Sequence, residues 1–72
     1  MKIEPQLNVF PNPADNFLKV QGSRNSKFEI FDSLGRMILD GPILGGEIDV
    51  SNLTSGLYFL KVDNQWVKIV KK

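Results

Sequence analysis

The sequence has 72 residues, of which 42% are hydrophobic and 10% aromatic, so it suits one small globular domain and is too apolar for a disordered tail. Nine basic and eight acidic residues leave a net charge of +1, which argues against a nucleic-acid-binding surface. Cysteine and histidine are both absent, which excludes thiol nucleophiles, disulfides, thiolate metal sites and the commonest general base at neutral pH. We therefore predict that the chain is not an enzyme and holds no metal or cofactor.

The first part of the chain predicts two short strands that are joined by a proline-containing bend. Residues 7–10 alternate in polarity and then meet the sequence Pro-Asn-Pro at residues 11–13. Two prolines fix two φ angles and remove two N–H donors, which ends a strand. Residues 14–16 are expected to turn the chain into a second strand at residues 17–20, whose alternate side chains face the core.

The clearest local pattern is a hairpin in the middle of the chain. Two apolar stretches, residues 28–31 and 36–39, flank the sequence Asp-Ser-Leu-Gly. Asp32, at the first turn position, can accept a hydrogen bond from the backbone two residues on, and Gly35 tolerates a positive φ. Four-residue loops of this kind commonly connect antiparallel strands. The Gly- and Pro-containing residues 40–46 are predicted to form the loop that follows.

The last part of the chain predicts three more strands. Residues 47–50 alternate in polarity, residues 51–56 form a corner, and residues 58–62 place an apolar row on one face. Residues 63–65 then turn the chain into a final strand at residues 66–71. Turn signals recur about every 8–12 residues, and apolar residues nowhere recur at helical spacing. The predicted fold is all-β, a small antiparallel immunoglobulin-like β-sandwich of about seven strands.

Four segments of the chain together resemble a known family. They are Phe10-Pro11-Asn12-Pro13, the hairpin from Phe28 to Arg36, Leu53-Thr54-Ser55-Gly56-Leu57-Tyr58, and Val67-Lys68-Ile69-Val70-Lys71-Lys72. In these elements and their order the chain resembles the C-terminal sorting domain, type A, of the type IX secretion system (Por secretion). The resemblance covers residues 7–72 and leaves residues 1–6 as a linker or starting segment.

The resemblance implies that the domain is a C-terminal secretion signal. An N-terminal cargo domain in the same protein would pass from the periplasm through the type IX outer-membrane translocon to the cell surface or the medium. A sortase-like cysteine peptidase would then remove the signal. The last strand, with its lysines, is the edge that we expect the translocon to bind by strand addition. The candidate recognition residues are Pro11, Asn12, Pro13, Gly35, Gly56, Tyr58, Trp66, Lys68, Lys71 and Lys72.

Each of these residues also has a purely structural explanation. Prolines protect strand edges, glycines occupy turns, and a tyrosine in an apolar row is usually a core residue. The alternative function is an accessory immunoglobulin-like binding or spacer module of a secreted enzyme, for example a carbohydrate-binding module that uses Trp66 and Phe17. Neither a signal peptide, nor a membrane-inserted segment, nor a nucleic-acid partner is predicted from these 72 residues.

Overall fold

A computed structural model describes residues 7–22 and 27–72, and these form seven strands in two antiparallel sheets. The strands are β1 (Asn8–Phe10), β2 (Phe17–Gln21), β3 (Lys27–Asp32), β4 (Met37–Pro42), β5 (Glu47–Asp49), β6 (Gly56–Val62) and β7 (Gln65–Lys71). The predicted small antiparallel β-sandwich is confirmed. No helix among the described residues is long and apolar enough to cross a membrane. Residues 1–6, the predicted linker, lie outside the described part of the chain.

The strand order is β1-β2-β5 in the three-stranded sheet and β4-β3-β6-β7 in the four-stranded sheet. The predicted hairpin joins β3 to β4, and its turn is closed by the N–H of Gly35, which donates to the carbonyl of Asp32 at 3.0 Å. A second hairpin joins β6 to β7 through Asp63 and Asn64, whose φ angles are 51° and 66°. Two successive positive φ angles define a type I′ turn, which matches the twist of the flanking strands.

The core lies between the two sheets and follows the two-residue period of the strands. Alternate residues of β2, β3 and β6 are buried, and Ile48, Val50 and Ile69 complete the apolar layer. Because successive side chains on a strand point to opposite faces, the residues between them lie on the outer surfaces of the sheets. Phe28 and Ile30 of β3 are among the buried residues.

The structure differs from the sequence-based expectation at two boundaries. Residues 40–42 complete β4 instead of forming a loop. Pro42 is the last residue of an edge strand. A proline is tolerated at this position because the sheet needs no N–H donor there. Residues 14–16 do more than turn the chain, because Ala14 is 1% exposed and pairs with Lys71.

Candidate functional site

The predicted motif segments converge at one end of the four-stranded sheet. Asp32 pairs with Tyr58 across β3 and β6, and Gly56 pairs with Lys71 across β6 and β7. The hairpin turn after Asp32, the corner before Gly56 and the end of β7 therefore lie at the same end. Trp66 lies at the other end, beside the β6–β7 turn. Every candidate residue except Trp66 therefore lies toward this end of the four-stranded sheet, with Gly35 beside β3 and β4 and the lysines on β7 or directly after it.

The segment of residues 11–14, here called the edge segment, runs along the outer edge of β7. Its Asn12 side chain bridges two backbone groups of that strand. Nδ2 of Asn12 donates to the carbonyl of Lys68 at 3.0 Å, and Oδ1 accepts from the N–H of Val70 at 3.0 Å. A side-chain amide thus makes the bonds that a neighbouring strand would make with its backbone.

Ala14 continues this pairing with its main chain. Its N–H donates to the carbonyl of Val70 at 2.7 Å, and its carbonyl accepts from the N–H of Lys72 at 2.9 Å. Ala14 forms a parallel bridge with Lys71, and its side chain belongs to the core cluster. The edge segment therefore closes this side of the sandwich as well as the edge of β7.

These bonds change what β7 can offer to a partner. In an antiparallel pair, alternate residues direct their N–H and C=O groups to the two sides of the strand. Four of the backbone groups that face away from β6 bond to the edge segment: the carbonyl of Lys68, the N–H and the carbonyl of Val70, and the N–H of Lys72. The last strand, which we expected to bind the translocon by strand addition, is therefore already bonded along the second half of its outer edge.

Lysine side chains give this end its charge. Lys68 and Lys72 are exposed, and Lys71 is half-buried. Nζ of Lys72 lies 3.9 Å from Oδ2 of Asp15, and both side chains are well exposed. A surface ion pair at this separation contributes little to stability and leaves the ammonium group accessible.

Tyr58 and the candidate glycines have identifiable structural roles. The Tyr58 ring is buried, and its hydroxyl donates to the carbonyl of Thr54 at 2.7 Å and shares a hydrogen bond of 3.1 Å with Thr54 Oγ1. This bond holds the corner that precedes β6. Gly35 has a φ of 85° and Gly56 a φ of 152°, conformations that side chains disfavour.

Asp32 organises the hairpin turn at the same end. Its Oδ1 accepts from the N–H groups of Leu34 at 2.9 Å and Arg36 at 3.0 Å, and its Oδ2 accepts from Arg36 Nε at 2.9 Å. The backbone N–H of Arg36, followed by that of Leu34 and by the guanidinium group, lowers the pKa of Asp32 below its usual value. The acceptor role predicted for this aspartate is confirmed.

Trp66 forms a separate cluster on the outer face of the four-stranded sheet. Its side chain is 57% exposed. Its ring centroid lies 5.2 Å from that of Phe31 at an interplanar angle of 45°, and Lys61 Nζ lies 5.6 Å from the indole centroid. Both distances suit weak aromatic and cation–π contacts. The indole is therefore packed against neighbours and only partly free.

Sequence reasoning missed the pairing between the edge segment and β7. Asn12 is one of the candidate recognition residues, but it was chosen only as part of a sequence motif. Ala14 is not one of them. The bonded residues are 56 and 58 positions apart in the sequence, so no local pattern links them. The one available indication is Asn12 itself, because a polar side chain between two prolines often bonds to nearby backbone.

Comparison with known proteins identifies the family of the chain. The profile of a family described as the secretion system C-terminal sorting domain matches residues 8–72. The chain therefore belongs to the family of type IX secretion C-terminal sorting domains, as its motifs predicted. Beta-agarase D of Zobellia galactanivorans is 28% identical over 67 residues, which are 93% of this chain and 14% of that protein. No solved structure matches the chain.

Proposed function

We propose that this chain is a C-terminal secretion signal that directs an attached cargo through the type IX outer-membrane translocon. The observation that carries the proposal is the family match over residues 8–72, nearly the whole domain. The relative named beta-agarase D is much longer than the stretch that matches, which is 14% of its length. A match to so small a share of the relative is expected if the matching stretch is a signal domain attached to a larger protein. The parent protein would cross the periplasm and reach the cell surface or the medium.

The recognition surface in this proposal is the basic end of the sandwich. It consists of the edge segment together with Lys68, Lys71 and Lys72. Hydrogen bonds join these distant segments, so the surface is present only in the folded domain. Because the end of the β7 edge is already bonded, the translocon would contact side chains there instead of adding a strand. A sortase-like cysteine peptidase would then cut on the N-terminal side of the domain and release the cargo.

An export assay in a bacterium with a type IX system tests this function. A fluorescent reporter with a periplasmic targeting signal is fused ahead of the chain, and the fraction of reporter outside the cell is measured. Truncation after Asn64 is a poor variant, because it removes Ile69, which is 2% exposed, and so disrupts the core. The double variant Lys68→Gln/Lys72→Gln removes charge at the basic end and leaves the core intact.

The matched control is Lys19→Gln/Lys27→Gln, since both of these lysines are exposed and their loss changes the net charge equally. We expect export of the intact fusion and the control, and retention of the basic-end variant in the periplasm. Retention of the intact, folded fusion would overturn the secretion-signal proposal. Export of all three fusions would keep that proposal but place the recognition surface elsewhere.

The alternative of a carbohydrate-binding module gains no support from the aromatic residues. Sugar platforms need aromatic rings that present one continuous stacking surface. Trp66 belongs to β7 in the four-stranded sheet, whereas Phe17 belongs to β2 in the three-stranded sheet. The two candidates therefore do not form one platform.

A further inference from the structure

The outer face of the four-stranded sheet carries side chains of which the secretion-signal proposal uses only Lys68. These side chains alternate with the buried residues of the same strands, so they point away from the core. Strand pairing arranges them in two full rows, which from β4 to β7 read Met37, Phe31, Phe59, Lys68 and Asp40, Glu29, Lys61, Trp66.

The middle of this outer face is apolar and only partly covered. Phe31 and Phe59 are neighbours across β3 and β6, and both are half-buried. Met37 and Trp66 at the margins are 52% and 57% exposed, and Leu57 extends the patch at 40%. Four strands about 4.8 Å apart, each with three outward residues, give a face of about 400 Å². Exposed apolar patches on a face of this size commonly mark interaction surfaces.

The charges in the two rows are divided by sign between the two halves of the outer face. Asp40 and Glu29 belong to β4 and β3, whereas Lys61 and Lys68 belong to β6 and β7. Asp40 and Glu29 are direct partners, and like charges directly opposite each other destabilise a strand pair. Lys27, the first residue of β3, lies beyond both rows. One half of the two rows is therefore acidic and the other half basic.

The charges nearest the centre are not neutralised within one copy of the chain. Among residues 7–22 and 27–72, neither Glu29 nor Asp40 nor Lys61 forms an ion pair. Nζ of Lys61 lies 5.6 Å from the centroid of the Trp66 indole, which is its neighbour on the side opposite Glu29. The carboxylates and this ammonium group are therefore available to an external partner.

A surface of this kind is complementary to itself. A two-fold axis that runs parallel to the strands, between β3 and β6, places each half of the face on the opposite half of a second copy. Because Glu29 and Lys61 are partners in one row, Glu29 of each copy then faces Lys61 of the other. Phe31 faces Phe59 in the same way. A two-fold axis across the strands would instead lay β3 on β3, so that like charges would meet.

We propose that the chain forms a two-fold dimer through the outer face of its four-stranded sheet. Stacked sheets lie about 10 Å apart with their strands nearly aligned, so the apolar side chains in the middle of the two faces pack together. About 400 Å² per copy lies below the standard size of a protein interface, so the dimer is weak and forms at high local concentration. The reciprocal contacts between Glu29 and Lys61 select a second copy as the occupant.

Sedimentation and NMR of the isolated 72-residue chain test whether it associates. We expect the average mass to rise with chain concentration between about 0.01 and 1 mM. Amide chemical shifts of residues 29–31 and 59–61 should move over the same range, whereas those of β1, β2 and β5 should stay constant. Export is not measured in these experiments, so their failure would leave the secretion-signal proposal standing.

Single charge reversals test the arrangement of the two copies. Glu29→Lys sets a lysine against Lys61 twice in each dimer, and Lys61→Glu sets a glutamate against Glu29 twice. Each variant should associate about three- to thirtyfold more weakly than the native chain, because two exposed ion pairs become repulsive. An equimolar mixture of the two variants should regain the native affinity, because both contacts again join opposite charges. Lys68 is left unchanged, since it also belongs to the basic end.

The matched controls are reversals of Lys19 and Glu47, which are partners across β2 and β5 in the other sheet. Glu47→Lys and Lys19→Glu make the same changes in net charge and in cross-strand pairing as the two test variants. Both controls should associate as strongly as the native chain. Circular dichroism of all four variants checks that the fold is kept.

Three results would overturn the proposal. The first is a native chain that stays monomeric up to about 1 mM, which would leave the outer face to a different partner. The second is equal weakening by the charge reversals and their matched controls. The third is a mixture of Glu29→Lys and Lys61→Glu that associates no more strongly than either variant alone, which would exclude this two-fold arrangement.

Discussion

The bridge that Asn12 makes to β7 can be tested by replacing this residue with alanine. The change removes two hydrogen bonds of 3.0 Å, to the carbonyl of Lys68 and from the N–H of Val70. Each such bond contributes about 0.5–1.5 kcal/mol, and water can reach the freed groups because both bonds are exposed, so we expect a loss of about 1–2 kcal/mol. For a domain of this size, each kcal/mol lowers Tm by about 4–8 °C.

Urea denaturation followed by circular dichroism measures the loss, and amide exchange locates it. Asn12→Ala should lower the midpoint and speed exchange of the Val70 amide, which loses its acceptor. Asn12→Asp should also destabilise the fold, because an oxygen then faces the carbonyl of Lys68, but it should keep the Val70 amide protected. Asn52→Ala, at an exposed asparagine in a turn, is the control and should change stability by less than about 0.5 kcal/mol. An Asn12→Ala variant as stable as the control, with unchanged Val70 exchange, would refute the bridge.

Three further outcomes are expected from the same end of the domain. Gly35→Ala should cost about 1 kcal/mol in urea denaturation, because the φ of 85° is strained for alanine although its Cβ meets no atom; an unchanged midpoint would contradict this. Tyr58→Phe should cost about 1 kcal/mol and raise backbone mobility near Thr54 in NMR relaxation, since the hydroxyl loses its bond to that carbonyl. The hydrogen bonds from Arg36 lower the pKa of Asp32, so its ionised form stabilises the fold above a pH of about 4, and this contribution is lost as the pH falls through the lowered pKa. Asp32→Asn should therefore be less stable than the native chain at pH 7, and the difference should shrink in acid.

The strands were predictable because their burial follows a local period. Leu18 and Val20 in β2, and Tyr58, Leu60 and Val62 in β6, are buried at alternate positions, so the sequence shows both the strand and its inner face. The β3–β4 turn could be predicted equally well, because its aspartate and glycine lie within a few residues of each other in the sequence.

The end of β4 was missed for a physical reason that sequence patterns do not contain. Asp-Gly-Pro usually indicates a turn, but an edge strand tolerates proline where no donor is needed. Gly41 pairs there with Phe28 across the two strands, and this pairing depends on the register of β3 and β4.

The sequence predicted which residues belong to the candidate site, but it did not predict how these residues are arranged in space. The family resemblance pointed to Asn12 and the terminal lysines, but not to the hydrogen bonds that join them. Those bonds depend on which strands become neighbours, and this is decided by packing of the whole core.

The pairing of Asn12 with β7 also determines when, during synthesis of the chain, folding of the domain can finish. The two bonds span 56 and 58 residues, almost the whole domain, and the entropy of closing so long a loop delays contacts of this kind. During synthesis they cannot form until Val70 has left the ribosome, when every residue before it has already been made. A surface that contains both Asn12 and Lys68 therefore exists only on chains that have been translated through the last strand and have folded.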